Sequence, residues 1–272
     1  MSGLTVHVLG PVETVFDGAT ALLPGRKLSC ILGTLALRAG SDVRRDELIE
    51  ELDLARTSGN AINALHAHIA RLRRWLQALN GGGRELLRST STGYALDVSR
   101  DRVDIHAFTS RFRQAANLAP GAPSVVSSIL EEALGFWRSD EAFEGVCDGP
   151  LLAAATSESQ RMRRAAREML VDAWLAMHEN PKVLAHAPRF IADDPLGEHM
   201  HAQHIVALRR SRREIEAIEA YRSAERILLH ELGIKPSKAL RNALIGPIGG
   251  VVDRNRWSSY AAADPFSLAR AL

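Results

Sequence analysis

Between Ile62 and Leu79 the apolar side chains Ile62, Leu65, Ile69, Leu72, Leu76 and Leu79 recur at alternating steps of three and four. That spacing draws one unbroken stripe along an α-helix and fits no strand period. Such a helix must lay its stripe on other elements, and its neighbours in sequence supply candidates. Residues 27–38 carry Leu28, Ile31, Leu32 and Leu35 on one helical face, and a shorter helix runs from Asp46 to about Leu52 with Leu48, Ile49 and Leu52 inward. A polar turn, Arg56 to Asn60, leads into the striped helix, and Gly81-Gly82-Gly83 ends it. Residues 86–98 then read as two strands around a polar loop.

Ahead of these helices the chain alternates. Leu4, Val6 and Val8 share one face, Val12, Thr14 and Phe16 repeat the pattern after Gly10-Pro11, and Asp17-Gly18 is a hairpin signal. A small sheet, three helices and a β-hairpin follow the order of a winged helix, with the striped helix in the recognition position. After Val103 no strand pattern recurs. Helices are predicted at roughly 108–118, 124–138, 151–179, 182–193, 197–211, 213–231 and 237–245. Asp194-Pro195 breaks one pair, and Gly233 with Pro236 makes a C-cap and a restart. The fold class expected is mainly α with small β. A winged-helix domain over 1–100 is followed by an all-α, tetratricopeptide-like domain over 101–245 and a tail over 246–272.

Total charge names no partner: 34 Lys and Arg stand against 32 Asp and Glu. Its distribution says more. Residues 54–100 hold seven arginines against only Glu85 and Asp97, whereas residues 1–53 are net acidic. A basic segment in a balanced chain is the electrostatic footprint of a nucleic-acid site, although a solvated charged helix has the same signature. No run approaches 18 apolar residues and the first residues lack a signal-peptide pattern, so a membrane-spanning or secreted protein is not expected. Two cysteines, Cys30 and Cys147, make no disulfide framework. The expected location is the cytoplasm, at the nucleoid.

At 100° per residue, Asn63, Ala67, Ala70, Arg71 and Arg74 fall on the face opposite the stripe. Two alanines let a backbone approach base edges. Arg71 and Arg74 have the fork that matches guanine O6/N7 or phosphate, and Asn63 suits an adenine edge. His66, Arg73 and Gln77 flank this face and point towards phosphates, as does Arg45 ahead of the second helix. In the hairpin, Arg88, Thr90 and Thr92 are candidates for phosphate or minor-groove contact, and Tyr94 is expected mainly to pack the wing on the core.

Other constellations carry less. In His199-x-His201-x-x-His204 the first two side chains point about 200° apart on a helix, so no metal set is expected. Walker A, G-x-S-x-G, H-E-x-x-H and C-x-x-C sequences are absent. Gly246-Pro-Ile-Gly-Gly lacks the flanking strand and helix of a phosphate cradle. No cofactor and no enzymatic activity are expected.

Several short runs occur in a telling order: Val8-Leu-Gly-Pro-Val12, Asn63 to Arg74, Gly93-Tyr-Ala-Leu96 and Val103-Asp-Ile-His-Ala-Phe108. Phe136-Trp-Arg138, Asp148-Gly-Pro-Leu-Leu152, Asp194-Pro-Leu-Gly-Glu198, Glu219-Ala-Tyr221 and Glu231 to Ser237 follow. From about Leu4 to Leu244 the chain resembles the small Streptomyces antibiotic regulatory proteins, activators with an OmpR-type winged helix and a bacterial transcriptional activation domain. The resemblance implies double-stranded DNA as partner, bound as direct repeats near the −35 region by two protomers side by side. It also implies contacts to the RNA polymerase sigma and alpha subunits at clusters for secondary metabolites. It places the DNA-reading helix on Asn63 to Arg74 and the wing on Arg88 to Tyr94. The chain departs from the pattern at Asp53 to Ser58, where a Trp-Gly-Asp run and a Pro-Pro pair are usual. Thr92 stands for a proline, and Arg212 for a glycine. A protein-interaction or effector-sensing regulator with weak or no direct DNA binding is the alternative reading.

Overall fold

The computed structural model describes residues 3–119, 121–146, 149–247 and Trp257. They form two compact units. Among the described residues, the first contains those up to Ser110 together with those from Gly135 to Met162, and the second contains those from Arg111 to Leu134 and from Arg163 to Trp257.

The first unit opens with β1 (Thr5–His7), β2 (Glu13–Phe16) and β3 (Ala19–Leu22), an antiparallel sheet in that order. Phe16 pairs with Ala19 around Asp17 and Gly18, whose φ values of 48° and 84° are those a two-residue hairpin turn requires. Leu4, Val6, Val8, Val12 and Thr14 are buried as the alternation predicts. The winged helix follows as α1 (Arg26–Leu37), β4 (Val43–Arg44), α2 (Arg45–Glu51), α3 (Leu54–Thr57), α4 (Ala61–Leu79), β5 (Leu87–Ser89) and β6 (Gly93–Leu96). The predicted polar turn at 56–60 therefore begins inside one extra helical turn. That turn is entered through Asp53 in the left-handed region, φ 50°.

On α4 the stripe is buried at Leu65, Ile69, Leu72 and Leu76, each burial contributing about 1.5–3 kcal/mol. Ile62 does not belong to it. It is 55 % exposed in the first turn of α4. Asn60 caps α4, its side-chain oxygen accepting from the Asn63 amide at 3.0 Å. The wing hairpin joins a sheet of order β4-β6-β5, with β6 in the centre. Arg44 pairs with Gly93, and a Cβ at Gly93 would sit 1.8 Å from the Val43 carbonyl oxygen. We predict that Gly93→Ala costs about 3 kcal/mol, the upper end of overpacking, by prising β6 from β4. Chemical denaturation of the purified chain checks this, and an unchanged midpoint would reject it.

The packing units do not follow a cut at residue 100. Helix α5 (Asp104–Leu118) starts earlier than predicted, and the buried carboxylate of Asp104 accepts from the amides of Val8 (2.8 Å) and Leu9 (3.0 Å). Helix α6 (Pro123–Leu134) stops before Gly135, so Trp137 and Arg138 are not helical as expected. The backbone from 138 to 144 instead bonds to residues 8–10: Arg138 N to Leu9 O, Phe143 N to Val8 O and Glu144 N to Gly10 O, at 2.7–3.1 Å. The Arg138 side chain reaches Pro11 O (2.8 Å) and Glu13 (2.7 Å), and Trp137 stacks edge-on against Phe108. Phe143 lies against Gly33 of α1, where a Cβ would be 3.2 Å from its ring. Helix α1 is consequently buried at nine of its twelve residues and not along one face alone.

The second unit is a helical array. Helices α8 (Asn180–Asp193), α10 (Glu214–Leu232) and α11 (Lys238–Ile245) all pack on α9 (Glu198–Arg210), which is buried from Met200 to Leu208 except at His204. Gly233 is the left-handed C-cap of α10, φ 68°, and Ser237 caps α11. Arg212, where the family pattern has glycine, lies in the left-handed region at φ 59°, which accounts for that preference. The long helix α7 runs Pro150–Ala176. Most of the tail beyond Gly246 lies outside the described residues.

Candidate nucleic-acid interface

Helix α4 presents Asn63, His66, Ala67, Ala70, Arg71, Arg74 and Gln77 to solvent on the side away from its buried stripe. Arg71 and Arg74 make no ion pair among the described residues, and Arg74 holds only a long contact to the Ala70 carbonyl, 3.4 Å. Among the described residues their guanidinium groups thus meet no carboxylate. Arg88, exposed on β5, likewise makes no ion pair among the described residues.

The other predicted contacts are committed to the protein itself. Arg73 donates to Leu87 O from Nε and Nη2 at 3.2 Å, to Ser89 Oγ at 3.2 Å, and pairs with Glu85 at 2.9 Å. It ties α4 to the first wing strand. Arg45 donates to Ser91 O (3.0 Å) and Thr90 O (3.3 Å), gripping the wing turn from the start of α2. Thr92 Oγ1 donates to Asp42, joined by Thr90 Oγ1 at 3.4 Å, and Thr90 Oγ1 accepts from the Gly93 amide at 2.9 Å. The Thr92 hydroxyl holds the Asp42 carboxyl below its ordinary range. Where the family pattern uses a rigid proline, this chain anchors its turn by a hydroxyl–carboxylate contact. Tyr94, 4 % exposed, faces the core. Arg73, Arg45, Thr90 and Thr92 therefore help to position the wing, and Tyr94 packs it on the core.

One cation escaped the sequence reading. Lys27, at the start of α1, lies close enough to His68 of α4 that its charge and that of Arg71 add to burial in holding the imidazole below its usual pKa. Lys27 thus extends the positive surface beside α4, a neighbourhood created by the packing of α1 on α4 and invisible in sequence order. Arg84 is paired with Asp97 and Arg56 lies 3.7 Å from Asp53, so the basic segment's surplus is concentrated at Arg71, Arg74 and Arg88.

The histidine run on α9 assembles no metal set: among the described residues there is no group of three or more His, Cys, Asp or Glu placed to hold an ion. His201 Nε2 is bonded to Pro195 O at 2.9 Å, and His199 lies beside Asp172. No described helix is long and apolar enough to cross a membrane.

The bacterial transcriptional activator domain matches residues 103–244. The transcriptional regulator RedD of Streptomyces coelicolor is 33% identical over 244 residues, covering 87% of this chain and 68% of RedD. The regulatory protein DnrI of Streptomyces peucetius is 28% identical over 269 residues, covering 96% and 98%. The structure of Mycobacterium tuberculosis EmbR, solved with a low affinity phosphopeptide, superimposes with a TM-score of 0.80 at 22% identity, covering 100% of this chain and 69% of that one. That likeness supports a winged helix followed by a helical domain.

Proposed function

The chain belongs to the Streptomyces antibiotic regulatory protein family of transcriptional regulators, and on that premise we propose that it is a sequence-specific DNA-binding activator of a secondary-metabolite cluster. The observation that carries this is the exposed face of α4. Asn63, two alanines and two guanidinium groups without carboxylate partners stand opposite a buried Leu/Ile stripe, on a helix fixed to its wing by Arg73. In this reading Arg71, Arg74 and Asn63 read base edges in the major groove, while His66, Lys27 and Arg88 meet phosphates. Two protomers bind direct repeats near a −35 region side by side and contact the RNA polymerase sigma and alpha subunits, in the cytoplasm at the nucleoid. The winged-helix region of residues 1–100 reads DNA, and the helical region from 101 to 245 serves protomer and polymerase contacts.

Selection of bound sequences from a random duplex pool at near-physiological salt tests the proposal. Enrichment of a tandem repeat spaced by about one helical turn, roughly 10–11 bp, is the expected outcome. On the enriched site Arg74→Ala is expected to cost about 1–3 kcal/mol and to relax one base position. Arg88→Ala is expected to weaken all sequences alike and to reduce the salt slope by about one. No enrichment by folded protein would instead favour a protein-interaction regulator. The exposed Ile215, Ile218, Leu229 and Leu232 on α10 support that second reading.

A further inference from the structure

Buried polar atoms without a hydrogen-bond partner are rare in folded chains, and each asks for an explanation. The second unit gathers three of them in one place. Asp172 of α7 is 4 % exposed; its Oδ1 accepts from Gln203 Nε2 of α9 at 2.6 Å, while its Oδ2 has no partner. Gln203 Oε1 and His199 Nε2 are also unpartnered, the latter 3.5 Å from Asp172 Oδ1 and too poorly placed to bond it.

Asp172 is the charged residue lining a cavity whose other walls include Val126, Met169, Ala173 and Ala176. The remaining wall is the indole of Trp257, a tail residue 3 % exposed and packed edge-on against His199 with ring centres 6.3 Å apart. With that indole in place the cavity measures about 20 Å³, room for a single water. The ring satisfies the apolar walls but leaves the carboxylate oxygen unmet. A molecule that brings both a flat apolar ring and a cationic N–H donor would satisfy both, since a buried carboxylate is stabilised by a charged donor far more than by a neutral one.

We propose that this cavity is a binding site for a small aromatic amine, with Trp257 as a built-in occupant that the ligand displaces. The wall of methyl, methylene and thioether groups sets the ring preference, and Asp172 Oδ2 sets the preference for an ammonium group. Gln203 holds the carboxylate in place from the α9 side through its bond to Oδ1.

Calorimetry on the full chain with indole, tryptamine and indole-3-acetate tests this, because the three share a ring and differ in charge. Trp257→Ala should bind tryptamine at least about tenfold more tightly than indole and should not bind indole-3-acetate. Adding Asp172→Asn should abolish the tryptamine preference while leaving indole binding in place. The unaltered chain should bind tryptamine about tenfold or more weakly than Trp257→Ala, because the indole must first leave. Failure of folded Trp257→Ala to bind either indole or tryptamine at millimolar concentration would overturn the proposal, as would a tryptamine preference that survives Asp172→Asn. Should Trp257→Ala not fold, the unaltered chain labelled with 5-fluorotryptophan decides. The Trp257 fluorine resonance, assigned by its loss in Trp257→Phe, must shift with tryptamine, and its constancy overturns the site. Neither readout involves DNA, so failure here leaves the DNA-binding reading standing, and the reverse holds too.

Discussion

A chain ending at Arg100 is expected to lose cooperative unfolding, although it contains every helix and strand of the winged helix. The residues beyond that point complete its core. Asp104 satisfies the buried amides of Val8 and Leu9, and the backbone of 138–144 pairs with residues 8–10. The ring of Phe143 covers Gly33, and His106 Nε2 meets the Ala36 carbonyl at 3.2 Å. Arg26 of α1 donates to Val146 O at 2.9 Å. Removing these exposes the far face of α1, which holds only apolar or small residues, and leaves a domain of about 100 residues with its central helix half uncovered. Circular dichroism melts and amide dispersion of the fragment against the full chain measure the effect. A sharp melt of the fragment near that of the full chain's first unit would refute it. Because α4 and its wing sit in this unit, any DNA affinity under the proposed function should fall in the fragment with its stability.

Truncating Glu51 should produce the second large loss. At the end of α2, this residue is 1 % exposed, and its two carboxylate oxygens accept from the first-turn amides of α7, Leu151 at 2.9 Å and Leu152 at 3.0 Å. Gly149 is required beside it, since a Cβ there would lie 2.3 Å from the Glu51 carboxyl carbon. Glu51→Ala leaves two helix-end donors without an acceptor in a dry site, a loss of about 2–4 kcal/mol. Glu51→Gln retains an acceptor and should cost much less at neutral pH. Burial raises the Glu51 pKa, with the two amides opposing it less strongly. The folded state therefore holds the proton more tightly than the unfolded state. The corresponding stability is present below the ordinary glutamate value and is lost as pH rises through the higher folded value. Urea unfolding at pH 5 and pH 7.5 should show the wild type gaining on Glu51→Gln at the lower pH. A constant difference between the two pH values would show that Glu51 is not the group titrating.

Much of the candidate site was legible in order and period. The striped helix, its Leu65–Leu76 core face and the exposed Asn63–Arg74 face follow from helical geometry alone, because α4 packs along one side only. Its chemistry was less legible. Arg71 and Arg73 look alike in sequence, yet one is free and the other is bound to Leu87, Ser89 and Glu85. That difference depends on where the wing folds back, which no local pattern encodes. The wing contacts of Arg45 and Thr92 were illegible for the same reason, since their partners lie 46 and 50 residues away. Lys27 was missed because only the crossing of α1 and α4 brings it near His68.

By itself, the sequence determined the element types, the winged-helix order and the helical region after it, since periodicity, turn chemistry and capping are local properties. It also determined, through spaced short motifs, the family. Only the tertiary structure decided what those motifs are for. Asp104, Trp137, Arg138 and Pro150 to Leu152 belong by sequence to the region matched by the activator domain, yet they pack into the winged-helix unit. The physical reason is satisfaction at long range. The free amides of Val8 and Leu9, the bare helix start at Leu151 and the far side of α1 each needed partners that neighbouring residues could not supply, and the chain returned to provide them.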